Sequence, residues 1–194
     1  MARPRKFDEN RVISAVMDTF WRHGYEATST RDLSESTGLG PSSLYNSFGD
    51  KHTLYLRALA FYYERSTTRQ VELLRGPGPA KERLRALMVQ AIDLDLAPEG
   101  GDPDGCFALH AAMERASCDD AVRDEVRRTF ATVEDALCAT VAEGQAAGEI
   151  GSGRDARSLA RHVLSTYYGL RVLSRVRDDR EALLDVVDST LAGL

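Results

Sequence analysis

Apolar residues recur every three or four positions along almost the whole chain of 194 residues, which is the spacing of one face of an α-helix. No stretch shows four or more alternating β-branched or aromatic positions, the pattern typical of a half-buried strand. Gly, Pro and capping residues divide the chain into segments of helical length. The pattern therefore predicts an all-α protein of about nine helices.

Turn and capping residues set the bounds of the first two predicted helices. Asp8 is placed to cap the first helix, which stops at Gly24. A second, short helix is expected to start at Thr28, whose hydroxyl can cap it, and to end at Gly38. The apolar face of the first helix carries Val12, Ile13, Val16, Met17, Phe20 and Trp21.

Proline and glycine mark the remaining helices. Pro41 suits the first position of a third helix, because its missing N–H would be unpaired there in any case, and this helix ends by Gly49. Asp50 caps a long fourth helix that runs to about Leu74, where Gly76–Pro79 breaks the chain. Five further helices are predicted at about 80–97, 106–117, 119–147, 154–177 and 179–193, with Pro98–Gly105 as the longest loop.

Only three residues, Gly38–Gly40, join the second and third helices, which is the spacing of a helix-turn-helix motif. Leu44 and Phe48 share one face of the third helix and are expected to pack against Leu33 and Leu39. The opposite side of this helix then presents Ser42, Ser43, Tyr45 and Asn46. The alternative is an αα-hairpin whose polar side chains simply face solvent.

The polar side of the third helix has the size and chemistry to enter the major groove of DNA. Eight residues span about 12 Å, and the groove is about 12 Å wide. Asn46 can pair with adenine, the serine hydroxyls can contact several bases, and Tyr45 offers a hydroxyl to a phosphate. Phosphate contacts are also predicted for Lys51, in the first turn of the next helix, and for Thr28 and Thr30.

The net charge of −5 is unevenly distributed along the chain. Residues 1–57 carry eight Lys or Arg and seven Asp or Glu, a net charge of +1, so the other 137 residues carry −6. Arg3, Arg5 and Lys6 precede the first acid and form a basic arm that can settle on phosphates, unless it is a frayed, solvated terminus. The acidic total therefore does not exclude a nucleic-acid partner.

A longer pattern surrounds the helix-turn-helix. It reads FWRHGYEATSTRDL at Phe20–Leu33 and GLGPSSLYNSFGDK at Gly38–Lys51. From Phe7 to Tyr55 the chain resembles the N-terminal DNA-binding domain of the TetR family of bacterial transcriptional regulators. The resemblance implies a DNA-binding domain over residues 1–50 and a C-terminal ligand-binding and dimerisation domain over 51–194. It implies a homodimer that binds a palindromic DNA operator, usually as a repressor, and releases it when a small molecule enters the C-terminal domain.

The resemblance also implies that Tyr45 and Lys51 contact phosphate and that the exposed positions of the third helix read bases. Two of these positions depart from the family. Many members carry Lys or Arg where this chain has Pro41, and His or Tyr where it has Asn46. The operator sequence therefore cannot be transferred from other members.

Each of the last two predicted helices carries a row of apolar residues at the three- and four-residue spacing of helix-on-helix packing. Such rows can be ordinary core, but in a protein of this size they also suit a four-helix interface with a second copy, which we favour. The predicted interface residues are Leu159, Val163, Leu170, Leu173, Leu184, Val187 and Leu191.

A ligand site in the C-terminal domain would be a mostly apolar cavity with a few polar groups. The candidate lining residues are Phe61, Tyr62, Met88, Ile92, Cys106, Phe107, His110, Met113, Phe130 and Tyr167, although residues of these types are also common in an ordinary core. No cofactor or metal is expected, because the four histidines and three cysteines lack ligand spacing.

Two features suggest what the effector could be. The interval from residue 86 to 114 contains six acids and no Lys or Arg, which suggests a cationic or neutral lipophilic compound unless the acids only solvate a loop. Cys106 follows Gly105 at a predicted helix start, where the dipole favours the reactive thiolate; the alternative is a buried, inert cysteine.

Two other classes of protein have to be weighed. A small all-α enzyme would need a catalytic motif, and the chain contains no GxSxG, HExxH or phosphate-binding Gly-rich loop. A helical partner-binding adaptor without operator binding is the other alternative. The absence of an apolar run near the N-terminus or of membrane-spanning length leads us to expect a cytoplasmic protein.

Overall fold

The computed structural model describes residues 7–97 and 105–194. Within these ranges the chain forms nine α-helices and no strand, which confirms the predicted fold class. The helices are α1 (Glu9–His23), α2 (Thr30–Thr37), α3 (Pro41–Phe48), α4 (Lys51–Leu74), α5 (Ala80–Leu96), α6 (Phe107–Glu114), α7 (Asp120–Ala146), α8 (Ala156–Leu173) and α9 (Arg180–Ala192). Of these helices, none is both long and apolar enough to cross a membrane.

The chain divides into two compact units, each of which takes two segments of sequence. The first unit consists of residues 1–65 and 107–126, and the second of residues 66–106 and 127–194. The first unit therefore contains more than the predicted DNA-binding domain over residues 1–50. It also holds the beginning of α4, all of α6 and the beginning of α7.

Side-chain caps fix the starts of the first two helices. Asp8 caps α1 as predicted, since its carboxylate accepts hydrogen bonds from the backbone N–H groups of Asn10 and Arg11. The cap of α2 is Ser29 and not Thr28, which corrects the prediction. The Ser29 hydroxyl accepts from the Asp32 N–H at 3.2 Å, and the Asp32 carboxylate accepts from the Ser29 N–H at 2.7 Å.

Thr28 is instead buried, with 1% of its surface exposed. Its hydroxyl donates a hydrogen bond of 2.6 Å to the carbonyl oxygen of Gly24. A side chain that is buried and already bonded to the backbone cannot reach a phosphate, so the predicted DNA contact by Thr28 is corrected as well.

Aromatic side chains form the centre of the first unit. Phe107, at the start of α6, lies against Trp21 of α1 and against Tyr55 and Tyr62 of α4, with ring centroids 5.7 to 5.9 Å apart. Tyr55 also meets Phe20 edge to face at 5.0 Å. Edge-to-face and stacked pairs at these distances stabilise a core beyond the area that they bury. Residues more than 80 positions apart in sequence therefore share one core.

Helices α5, α8 and α9 enclose the core of the second unit together with parts of α4 and α7. Five of the predicted interface residues lie in this core with 0 to 9% of their surface exposed: Leu159, Val163, Leu170, Val187 and Leu191. A side chain that its own protomer buries has no surface to offer to a partner. The interface prediction is therefore corrected for these five residues, while Leu173 is exposed and Leu184 is half-buried.

The cap of α2 can be tested by the substitution Ser29→Ala. It removes one acceptor from the first turn, and we expect the free energy of unfolding to fall by about 1 kcal/mol at neutral pH. Urea unfolding followed by circular dichroism measures this difference. The matched control is Ser42→Ala, which changes an exposed serine with no such cap and should alter stability by less than about 0.5 kcal/mol.

The same pair of residues predicts a pH dependence. Hydrogen bonds from the Ser29 side chain and backbone lower the pKa of Asp32 below its ordinary value of 3.8. The ionised Asp32 carboxylate therefore stabilises the fold fully above pH 3.8, and this contribution is lost as the pH falls through the lowered pKa. The stability difference between the wild type and Ser29→Ala should therefore shrink as the pH falls below 3.8, and a difference that grew instead would contradict the capping box.

Candidate nucleic-acid interface

The helix-turn-helix is built by the residues that the sequence indicated. Gly38 ends α2 in the left-handed conformation at φ 68°, which a residue with a side chain rarely adopts. Pro41 then occupies the first turn of α3. Leu33, Leu44 and Phe48 are buried between the two helices, with at most 3% of their surface exposed. The hydrophobic pattern of residues 28–48 therefore sets which side of α3 faces outward.

The outward side of α3 presents small polar groups. Ser42, Ser43 and Asn46 are exposed there together with Pro41, and Thr30 is exposed at the start of α2. The hydroxyl and amide groups can donate and accept hydrogen bonds, which is the chemistry that reads base edges. The predicted base contacts are compatible with this arrangement, and they stay predictions. Arg5 and Lys6, the predicted contacts of the basic arm, lie outside the described residues.

Tyr45 differs from its neighbours on α3. Its ring is half-buried, and its hydroxyl oxygen is buried without a hydrogen-bond partner among the described residues. Burial, and secondly the Asp50 carboxylate, raise the pKa of Tyr45. In this conformation the hydroxyl points away from the solvent that a phosphate would approach from.

Lys51 begins α4, beside the capping residue Asp50. The Asp50 carboxylate accepts hydrogen bonds from the backbone and the hydroxyl of Thr53, at 2.7 and 2.8 Å, and these bonds lower the pKa of Asp50. The Lys51 ammonium lies 4.5 Å from the centre of the Tyr25 ring. Lys51 therefore adds a positive charge to a helix N-terminus, where backbone N–H groups already favour an anion.

A cluster of charged residues that begins at the last residue of α6 contacts the segment between α1 and α2. The Glu114 carboxylate accepts hydrogen bonds from the backbone N–H groups of Tyr25 and Glu26, at 2.9 and 3.0 Å. Arg115 donates to the carboxylates of Glu26, at 2.5 Å, and Asp119, at 3.2 Å. We call residues 114–119 the Glu114 clamp.

Asp119 links the Glu114 clamp to α4. Its carboxylate lies 2.8 Å from Nε2 of His52 and caps α7 by accepting from the N–H of Val122. Burial opposes the charge of Asp119, but the hydrogen bonds from Val122, His52 and Arg115 lower its pKa overall. Sequence reasoning missed this clamp, because its partners are more than 60 residues apart and no local pattern connects them.

The predicted ligand residues are divided between the two units. The first unit holds Phe61, Tyr62, Phe107, His110 and Met113. Tyr62 and Phe107 belong to its aromatic core, and Phe61 and His110 are half-buried. Met113 is 78% exposed, so the prediction that it lines a cavity is corrected: a side chain in contact with solvent cannot enclose a ligand.

The second unit holds Met88, Ile92, Cys106, Phe130 and Tyr167. Met88 and Ile92 are completely buried in the core, and Cys106 is 6% exposed. Phe130 lies against Tyr168 in a tilted arrangement, with ring centroids 4.4 Å apart. Burial raises the pKa of Tyr167 to about 12, and its hydroxyl accepts a hydrogen bond of 2.8 Å from Gln70.

The acids that suggested a cationic effector have structural partners where the structure describes them. Asp93 bonds to Arg180 at 2.8 Å, and the buried Asp95 forms an ion pair of 2.8 Å with Arg171. Glu114 belongs to the clamp, and the other three acids of the interval, Glu99, Asp102 and Asp104, lie outside the described residues. The observation therefore no longer favours a cationic compound. In the part of the chain that the structure describes, no three His, Cys, Asp or Glu side chains are grouped as metal ligands.

Comparison with known proteins decides the family. A model described as bacterial regulatory proteins, tetR family, matches residues 12–58, and a model of the tetracyclin repressor-like C-terminal domain matches residues 80–189. A solved structure of a cysteine mutant of CifR, a TetR family transcriptional regulator complexed with 26-base-pair operator DNA, is 31% identical to this chain. It covers 98% of both chains with a TM-score of 0.85. The chain belongs to the TetR family.

Curated members of the TetR type match along nearly the full length. An uncharacterized HTH-type transcriptional regulator of Bacillus subtilis, YezE, is 29% identical over 100% of both chains. The HTH-type transcriptional repressor ComR of Escherichia coli is 28% identical over 97% of this chain and 90% of its own. The chain is thus a TetR family regulator and not an enzyme.

The buried hydroxyl of Tyr45 leads to a stability prediction. The substitution Tyr45→Phe removes a buried donor that has no acceptor among the described residues, so we expect the free energy of unfolding to stay the same or to rise by about 1 kcal/mol. Urea unfolding measures the change. Tyr167→Phe is the matched control, since it removes a hydroxyl that Gln70 bonds, and it should lose about 1 kcal/mol. A comparable loss in Tyr45→Phe would mean that this hydroxyl has a partner.

Proposed function

We propose that this protein is a cytoplasmic, homodimeric transcriptional repressor that binds a palindromic DNA operator and leaves it when a small molecule enters the C-terminal domain. The observation that carries the proposal is the exposed polar side of α3, held outward by the buried residues of the helix-turn-helix. The DNA-binding domain is assigned to residues 1–50 and the ligand-binding and dimerisation domain to residues 51–194. CifR, a member of the same family, is complexed with operator DNA in its solved structure.

In this proposal α3 lies in the major groove. Asn46 pairs with an adenine, the hydroxyls of Ser42 and Ser43 contact neighbouring base edges, and Pro41 packs against the groove. Thr30 and Lys51 contact phosphates on either side. Tyr45 reaches a phosphate only if its side chain turns outward, and its hydroxyl then gains the partner that it lacks in the structure described above.

The charge distribution supports the need for two copies. The DNA-binding region carries little net positive charge, +1 over residues 1–57, so one copy is expected to hold non-specific DNA weakly. Two linked recognition helices about 34 to 36 Å apart engage successive major grooves, and once the first is bound the second binds at a high effective concentration.

The same helices that were predicted to dimerise supply a different face. A stripe at spacings of three and four residues is exposed along α8 and the turn after it, and we call it the α8 stripe: His162, Ser165, Gly169, Val172 and Val176. Val172 and Val176 are 48% and 79% exposed, and Val186 of α9 is 37% exposed. Small residues at 165 and 169 would let two α8 helices approach closely. We propose that this face, with Leu173 and Leu184 at its border, forms the dimer.

DNA binding is tested by selecting bound sequences from a random pool of double-stranded DNA, followed by titration of the selected site at several salt concentrations. A palindromic consensus is expected, and an adaptor would select none. Lys51→Met removes one phosphate contact from each protomer, so it should lower the slope of log K against log salt by about 2. Asn46→Ala should relax the preference at one base pair of each half-site. Arg69→Met, an exposed charge on the part of α4 in the second unit, serves as the control and should leave both unchanged.

The dimer face is tested by Gly169→Arg. Beyond its own helix backbone, a Cβ at Gly169 meets no atom of the described residues within 4 Å, so the fold should tolerate the change. A long side chain on the α8 stripe would keep two copies apart, and sedimentation should show a monomer. Gly169→Ala is the control and should remain a dimer. A dimeric Gly169→Arg protein would place the interface elsewhere.

A further inference from the structure

The ring of Tyr25 lies beside two cations in the first unit. The Lys51 ammonium is 4.5 Å from the ring centre, and the Arg115 guanidinium carbon is 4.4 Å from it. Both distances are within the range of a cation–π contact. Tyr25 is thus in contact with a proposed phosphate-binding residue and with the Glu114 clamp.

The position of Tyr25 is fixed from several directions. Its ring meets Tyr55 edge to face at 4.9 Å and stacks on Phe20 at 5.9 Å. Its backbone N–H donates to the Glu114 carboxylate at 2.9 Å. Ring and backbone are therefore held at the same time, so that the ring is a rigid surface.

The two cations beside this ring are in different electrostatic states. Arg115 donates to the carboxylates of Glu26 and Asp119, so its charge is compensated within the protein. Lys51 has no carboxylate within 4.0 Å among the described residues, and its contact there is the aromatic ring. An ammonium that rests on a ring keeps its N–H donors available for an anion, whereas an ion pair would occupy them.

We propose that Tyr25 is a positioning residue for DNA binding, which holds the Lys51 ammonium ready for a DNA phosphate while Arg115 and Glu114 fix the ring. The inference rests on the proposed function, because it needs Lys51 to contact phosphate. A free lysine side chain loses rotamer freedom when it binds. The Lys51 side chain loses less rotamer freedom on binding, because the Tyr25 ring already restricts its ammonium group.

The inference is tested by a double-mutant cycle on the selected DNA site, with Kd measured by fluorescence anisotropy over a range of salt concentrations. Lys51→Met should weaken binding about fivefold to tenfold and lower the salt slope by about 2, one phosphate contact for each protomer. Tyr25→Leu should weaken binding about threefold to tenfold and also lower the slope. In the Lys51→Met background, Tyr25→Leu should change Kd by less than about twofold, because there is no ammonium left to position. Tyr25→Phe keeps the ring and should bind within about twofold of the wild type.

Each other outcome contradicts a different statement. If Lys51→Met lowers the slope but the effects of the two substitutions multiply, Tyr25 is only a core residue and the inference is wrong while the proposed function stands. If Lys51→Met leaves the slope unchanged, Lys51 does not contact phosphate, and the inference fails together with that part of the proposed function.

A second substitution separates positioning from folding, since Tyr25→Leu also removes part of an aromatic core. Pentafluorophenylalanine at position 25 preserves the shape of Phe but withdraws the negative charge from the ring face, on which the cation–π contact depends. Compared with Tyr25→Phe, this variant should keep the same helical content by circular dichroism and bind DNA about threefold more weakly. Equal affinities of the two variants would overturn the inference.

Discussion

The carboxylate of Glu114 controls the segment from which the helix-turn-helix starts. It accepts hydrogen bonds from two successive backbone N–H groups, those of Tyr25 and Glu26, directly after α1 ends. The approach depends on Gly24, at φ 78°, because a Cβ there would lie only 3.1 Å from the carboxylate oxygens. This contact therefore holds the path of the chain from α1 into α2, and together with Phe20 and Tyr55 it fixes the place of the Tyr25 ring.

How far the sequence predicts the structure depends on the distance between the residues involved. The starts of α1, α3 and α4 follow from Asp8, Pro41 and Asp50, since a cap or a proline acts within three or four residues. The start of α2 was misplaced by one residue because Thr28 and Ser29 can both cap. Asp32, three positions after Ser29, completes a capping box with it and so identifies Ser29 as the cap.

Contacts between distant segments could not be predicted in this way. The Glu114 carboxylate bonds to residues 88 and 89 positions away, and no local pattern in the sequence connects them. Five of the seven predicted interface residues are buried in their own protomer for a related reason. Periodicity identifies the most apolar face of a helix, and in α8 that face, at Leu159 and Val163, fills the core of its own protomer. A dimer face needs to be only partly apolar, so its pattern along the sequence is weaker.

The first unit takes in residues 107–126, and this has a consequence for how such regulators can be recombined. A chimera that carries residues 1–50 of this chain into another regulator leaves behind Phe107, which fills the aromatic core, and Glu114, which binds the turn after α1. The transplanted helices would meet whatever side chains the host provides at those places. The portable recognition module of this protein is thus discontinuous in the gene, and an exchange at a single crossover point would separate its parts.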